Sequence, residues 1–261
     1  MRNIYIIVFL VLTTCYGCEW RLPSDAADEA AWGVVIDRYD QLEYRYLSTG
    51  DIAALQQMNT EYPTETRMLV EDLLHLGPAN DPEMKKKLLY FFQDSTLKVL
   101  LRDVKEQYGD MSDVEEQLTS AFDKLKTLLP GFEVPRVYTQ ISSLDQSIVA
   151  GDGFLGISLD KYLGSDYPLY LKYGYTERQR SMMDRTAIVP DCIGFYLLGL
   201  FPFPENDTTH AARNRHMGKI QYVVNQVMDH RQFDNEQVRE VEEQVAKDKS
   251  LSVEKLLQSS R

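Results

Sequence analysis

The side chains that could do metal chemistry are too sparse and too irregularly spaced for a recognisable site. The histidines are His75, His210, His216 and His230, and no two of them are four residues apart. The H-E-x-x-H pattern of a helical zinc site is therefore absent, and no Cys-x-x-Cys pair is present. We predict no metal site, no cofactor and no catalytic residue of a known type.

Cys192 is the one cysteine of the body of the chain, and it follows Pro190 and Asp191. A helix that begins at this proline would favour a thiolate near its N-terminus. A nucleophile also needs a base, which the sequence does not place. Because free cysteines are commonly buried as small apolar side chains, we predict that Cys192 packs in the core.

Two further motifs have ordinary structural interpretations. Asp184 and Asp191 could form a carboxylate pair, but Pro190 separates two predicted helices between them, so surface or capping roles are expected. Residues 151–156 read Gly-Asp-Gly-Phe-Leu-Gly and match the dinucleotide fingerprint G-x-G-x-x-G. That fingerprint needs a helix after it, whereas a β-rich run follows here, which predicts a hairpin turn.

The first 18 residues, MRNIYIIVFLVLTTCYGC, have a charged start, a short apolar run and small residues before a cysteine. The run is too short to cross a membrane, and the pattern is typical of a bacterial lipoprotein signal. We predict that residues 1–17 are removed, that Cys18 is lipidated and that residues 18–27 form a tether. An ordinary cleaved signal is the alternative. Acylated Cys18 would hold the protein on a membrane.

The charge and cysteine composition bears on possible partners and on disulfides. The formal net charge is −12, and the Lys and Arg residues form no long block, so we expect no nucleic-acid partner. Loss of Cys15 with the leader and acylation of Cys18 would leave Cys192 as the last free thiol, so no internal disulfide could form.

Hydrophobic spacing predicts an α+β chain that is mostly helical, in one domain over residues 28–261. Helices are expected in the segments 35–49, 63–75, 82–92, 95–107, 112–128, 177–185, 191–200, 208–230, 236–246 and 253–258. Ser112 and Glu115 match a capping box. Three β-rich runs, 134–141, 147–150 and 154–158, predict a small antiparallel meander, and residues 159–163 a single helical turn.

One long segment is more specific. Residues 153–164, GFLGISLDKYLG, resemble the gliding-motility lipoprotein GldB family of Bacteroidetes. Shorter matches to the family pattern occur in the same order at 36–40, 62–63, 167–168, 188–191 and 217–222. The resemblance implies a lipoprotein at the outer membrane or the periplasmic face of the envelope, with no established enzymatic activity and a connection to gliding or type IX secretion.

The resemblance also marks Asp160, Lys161, Tyr162, Asp191 and Lys219 as family-signature or partner-contact candidates. The family is distantly similar to zincin-type metallopeptidases, in which a small sheet precedes the H-E-x-x-H helix. The comparable helix here, residues 191–200, holds no His and no Glu. We therefore expect a degenerate zincin-like fold in which Phe195, Leu197 and Leu198 form core in place of a metal site.

Three functions remain open. The leading one is a non-catalytic, membrane-anchored protein that binds envelope proteins. The second is a hydrolase with a site around Asp160, Asp191 and Lys219. The third is a small-molecule binding lipoprotein that uses a tyrosine-rich surface, since the chain has 16 tyrosines.

Overall fold

A computed structural model describes residues 33–203 and 209–259. The predicted leader, the tether and Cys18 lie outside these residues. The described residues from Val34 onward form one compact unit. Among the described residues, no helix is both long enough and apolar enough to span a membrane.

The N-terminal half is a layer of helices, as the hydrophobic spacing predicted. After a two-residue strand, β1 (Ile36–Asp37), come six helices that we label as follows: α1 (Tyr39–Thr49), α2 (Ile52–Glu61), α3 (Pro63–Met68, continued by a π-helical turn, Leu69–Leu73), α4 (Met84–Phe91), α5 (Ser95–Gln107) and α6 (Ser112–Leu128). The prediction omitted α2, which is capped by Asp51 through bonds from the amides of Ala53 and Ala54. Gly50, with φ of 72°, ends α1 where a left-handed residue is needed.

The capping box predicted for α6 is not formed. Asp110 accepts the amide of Ser112 instead, and no side chain acts as the cap at Met111. Glu115 is used elsewhere, because its Oε1 accepts the amide of Ile36 at 2.8 Å. This bond fastens β1 to the helical layer.

The sheet has four strands in the order β1-β2-β4-β3, with β2 (Arg136–Gln140), β3 (Ile148–Gly151) and β4 (Phe154–Ser158). β1 pairs parallel to β2, β2 pairs parallel to β4, and β3 and β4 form an antiparallel hairpin. The turn of this hairpin is Asp152-Gly153, with Gly153 at φ 75°, which confirms the hairpin prediction for the glycine motif.

The prediction of an antiparallel meander was wrong. The loop after β2 carries the chain beyond the position of β4, so β3 becomes the edge strand and β4 returns between β3 and β2. The composition of a segment can identify it as a strand, but it does not show which strands are neighbours in the sheet. The sheet is therefore mixed, and β1 was missed because two residues give no periodic signal.

The C-terminal half supports the sheet with helices. These are α7 (Pro168–Lys172), α8 (Glu177–Arg180), α9 (Ile188–Leu200), α10 (His210–Val227), α11 (Glu236–Lys247) and α12 (Val253–Gln258). Helix α9 packs against β3 and β4, and α10 packs against α9, α11 and α12. The predicted apolar helix beneath the sheet is thus present, while α1 packs against β2.

Candidate functional site

We call Ser158–Gly164 the signature segment, because it follows β4 and carries the most specific part of the sequence motif. Asp160 is fully buried, and its carboxylate accepts the amide of Ser142 at 2.9 Å and that of Leu144 at 2.5 Å. Burial raises the pKa of Asp160, and these donated bonds oppose the rise. The carboxylate therefore holds the loop that joins β2 to β3.

Lys161 holds the same loop from the other side. Its Nζ donates to the carbonyl oxygens of Leu144 at 3.2 Å and Asp145 at 3.4 Å, and to the hydroxyl of Tyr175 at 3.0 Å. Ser143 and Leu144 have φ of 57° and 67°, which non-glycine residues seldom adopt. Two adjacent charged side chains thus stabilise a strained loop.

Tyr162 connects the signature segment to α9. Its buried hydroxyl donates to Oδ2 of Asp191 at 2.8 Å. Asp191 lies in the first turn of α9, where the helix dipole favours a negative charge. Burial nevertheless raises the pKa of Asp191 to about 6, and the bond from Tyr162 limits that rise.

Backbone groups of the segment make further long-range bonds. Tyr108 donates its hydroxyl to the carbonyl of Tyr162, and Tyr170 donates its hydroxyl to the carbonyl of Asp160 at 2.7 Å. The amide of Gly164 donates to the carbonyl of Met183 at 2.9 Å. The signature segment is therefore a junction between α5, the loop after β2, α7 and α9.

Lys219 forms its hydrogen bonds with a different part of the protein from this junction. It is buried on α10, and its Nζ donates to the carbonyl and the hydroxyl of Ser259, at 2.6 and 2.8 Å. Burial, with the nearby charge of Arg215, lowers the pKa of Lys219. No hydrogen bond or ion pair in the described parts of the chain joins any two of Asp160, Asp191 and Lys219.

A pocket of about 200 Å³ lies between α9 and α10, beside Asp191. Phe195 and Leu198 line it, together with Ile220 and Val224 of α10. The prediction that Phe195 would be core was wrong, because its side chain is 42% exposed at the pocket; Leu197 is buried as predicted, and Leu198 is half-buried. The helix presents Leu197 to the protein interior and Phe195 to the opposite side.

A buried polar cluster at the carboxyl ends of β1 and β2 was missed by the sequence analysis. Asp40 accepts a hydrogen bond from Thr139 at 2.5 Å and pairs with Arg38 at 2.9 Å. Glu43 accepts the amide of Ile141 at 2.7 Å, and burial together with the charge of Asp40 raises its pKa well above the ordinary value. The residues Asp37, Arg38 and Asp40 of the 36–40 match were the available signal.

The same cluster holds polar atoms without a partner. Among the described residues, Oε1 of Glu43, Oε1 of Gln140 and the hydroxyl of Tyr138 have none. Arg38 and Asp40 also line a larger, mainly apolar cavity of about 370 Å³ between α1 and α5. The cluster therefore combines desolvated polar groups with a neighbouring cavity.

The surroundings of Cys192 and His216 indicate structural roles for both side chains. Cys192 is fully buried, as predicted, and burial raises the pKa of its thiol. His216 is buried and hydrogen-bonds the carbonyl of Phe201 at 2.7 Å. Within residues 33–203 and 209–259, no three His, Cys, Asp or Glu side chains are placed to hold one metal ion.

The chain is similar to one known protein family over most of its length. The family model described as gliding motility protein GldB matches residues 21–247, which include the signature segment, both pockets and the whole sheet. Comparison with curated proteins and with solved structures gave no match. The chain belongs to the GldB family of gliding motility proteins.

Proposed function

We propose that this protein is a lipid-anchored component of the cell envelope that binds other envelope proteins and performs no catalysis of its own. The acyl chains on Cys18 would fix it to the outer membrane or to the periplasmic face of the envelope. Its partners would belong to a gliding or type IX secretion-related assembly. Family membership and the leader support the anchor and the setting.

The non-catalytic role is supported by one observation: the charged side chains of the signature segment hold other parts of the fold. A hydrolase would need its acid, base and cation to meet at one accessible point. Asp160 and Lys161 are buried and bonded to a loop, and Lys219 is bonded to Ser259 near the C-terminus. The most specific residues of the motif thus build the fold, which favours a binding protein over the hydrolase alternative.

A zincin-like ancestry is part of the proposal. The antiparallel β3–β4 hairpin is followed in the chain by an apolar helix, α9, that packs against it. This order matches that of a small sheet and a metal-site helix, and under this proposal Phe195, Leu197 and Leu198 would stand where a zinc helix carries ligands. Such a scaffold would keep its packing after the chemistry was lost.

The anchor is tested with two cysteine variants of the full-length chain expressed in a bacterium that processes lipoproteins. Cys18→Ser should abolish labelling by an alkyne analogue of palmitate and move the protein out of the membrane fraction. Cys15→Ser is the matched control, since its cysteine lies in the same leader, and it should label like the wild type. Labelling that depends on Cys15, or persists without Cys18, would overturn the anchor.

Partner binding without catalysis is tested by complementation of a deletion in the source organism. Wild type and Lys219→Met should restore the same envelope phenotype and, after cross-linking in cells, capture the same proteins. A Lys219→Met variant that is folded and captures those proteins but fails to complement would favour the hydrolase.

A further inference from the structure

The pocket between α9 and α10 is formed by one face of each helix. Pro190, Asp191, Gly194, Phe195 and Leu198 repeat at helical spacing on α9, and Met217, Ile220 and Val224 do so on α10. Gly194 contributes to its volume, because a Cβ there would still be 3.9 Å from Val224. The result is a mainly apolar cleft whose polar lining side chains are Asp191 and Gln221.

That carboxylate has no charge partner among the described residues. Oδ2 of Asp191 accepts the Tyr162 hydroxyl, while no described group donates to Oδ1. No Lys, Arg or His within residues 33–203 and 209–259 forms an ion pair with Asp191, and desolvation is the main influence on its pKa. Asp191 is partly buried, and a carboxylate that is partly desolvated and has one donor and no cation favours a ligand that brings a positive charge, so this position is suited to a positively charged ligand.

The dimensions limit the ligand. An apolar cavity of about 150 Å³ is large enough to hold benzene. The α9–α10 pocket, at about 200 Å³, has room for one ring or a short alkyl chain with a few more atoms. Met182 and Phe195, 44% and 42% exposed, lie along it and could close over an apolar body.

We propose that this pocket binds a small protonated amine on a compact apolar body, with the ammonium group on Oδ1 of Asp191. A ring or alkyl chain would lie between Phe195 and Leu198 of α9 and Val224 of α10. The acidic protein, with a net charge of −12, would also attract such cations over long range. This binding is separate from the partner role proposed above and does not depend on it.

Isothermal titration calorimetry with phenethylamine tests the proposal, with the uncharged isostere 2-phenylethanol as the matched ligand. We expect the amine to bind at one site and the alcohol to bind at least about tenfold more weakly, since a charge-assisted bond is worth more than a neutral one. Equal binding of the two would overturn the role of Asp191, and no binding of either would overturn the site.

Three variants locate the binding. Asp191→Asn keeps the shape of the side chain and an acceptor for Tyr162, and it should weaken amine binding at least about tenfold. Asp123→Asn on the exposed side of α6 removes one negative charge elsewhere and should leave binding unchanged. Gly194→Met should fill the pocket and abolish binding; if that variant does not fold, the two aspartate variants still decide.

A second probe, Nα-acetyl-lysine amide, distinguishes a free small amine from a lysine side chain of a protein. It presents the ammonium group of a peptide lysine. We expect it to bind more weakly than phenethylamine, because its backbone amides would be desolvated in an apolar cleft. Tighter binding of the lysine probe would overturn the small-molecule assignment in favour of a lysine side chain of a protein.

Discussion

Asp160, which is fully buried, and Asp191, which is partly buried, are both bonded to or part of the signature segment, and they differ in what surrounds the carboxylate. Asp160 accepts two backbone amides, from Ser142 and Leu144, and stabilises a strained loop. Asp191 accepts one tyrosine hydroxyl and borders an apolar pocket without a cation. The first carboxylate is committed to the fold, and the second is available to a ligand.

The difference shows that burial alone does not reveal a role. Both residues have a raised pKa for the same main reason, desolvation. What separates them is the number of donors and the presence of an adjoining cavity. Substitutions at the two positions should therefore act in opposite directions on the stability of the free protein.

The largest effect is expected for Asp160→Asn. The NH2 group of the new asparagine would face the backbone amide of Ser142 or Leu144. One hydrogen bond would therefore be lost, and two N–H donors would point at each other. We expect the free energy of unfolding to fall by about 3 kcal/mol, measured by urea denaturation. Asp145→Asn, exposed in the same loop, is the control and should change stability by less than about 0.5 kcal/mol. Similar effects of both substitutions would contradict the assignment of Asp160.

Two glycines, one in the sheet and one beside the pocket, differ in the space around their Cα atoms. A Cβ on Gly156 in β4 would lie 2.5 Å from the ring of Tyr138, so Gly156→Ala should cost about 2 kcal/mol. A Cβ on Gly194 beside the pocket meets ordinary space, so Gly194→Ala should stabilise α9 by about 0.5–1 kcal/mol. Thermal unfolding of both variants checks this, and a destabilising Gly194→Ala would show that the pocket is closed in solution.

A smaller loss of stability than for Asp160→Asn or Gly156→Ala is expected for Tyr162→Phe, which removes the hydrogen bond from the signature segment to Asp191. The free energy of unfolding should fall by about 1 kcal/mol. The pKa of Asp191 should rise further above its value of about 6, because the lost bond stabilises the ionised carboxylate. Carbon-detected NMR titration of the Asp191 carboxyl measures this pKa. An unchanged pKa would show that the Tyr162 hydroxyl does not bond the Asp191 carboxylate in solution.

Much of the helical structure could be predicted from the sequence because periodicity is local. The bounds of α5, α6 and α12 agree with the pattern to the residue, and Pro190 correctly lay in the first turn of an apolar helix. The strands β2, β3 and β4 were also located. Their order was not, since the parallel pairing of β2 with β4 depends on contacts between distant residues.

The candidate site was less predictable. The motif pointed to Asp160, Tyr162 and Asp191, but the spacing could not show that Tyr162 donates to Asp191 across 29 positions. Phe195 was placed in the core because it is apolar, whereas its exposure is set by which face of α9 the sheet covers. Glu43 was missed, because one carboxylate in an amphipathic helix has the pattern of a surface residue.

The pH dependence of unfolding for the wild type and Asp191→Asn, measured between pH 4 and 7.5, shows whether the Asp191 carboxylate is uncompensated in the folded protein. The pKa of Asp191 is raised in the folded state, so the native protein holds its proton more tightly than the unfolded chain. As pH rises from about 4 to 6, the wild type should lose stability relative to Asp191→Asn. The variant should become the more stable protein by on the order of 2 kcal/mol near pH 7. A variant that is less stable than the wild type across this range would contradict an uncompensated carboxylate at the pocket.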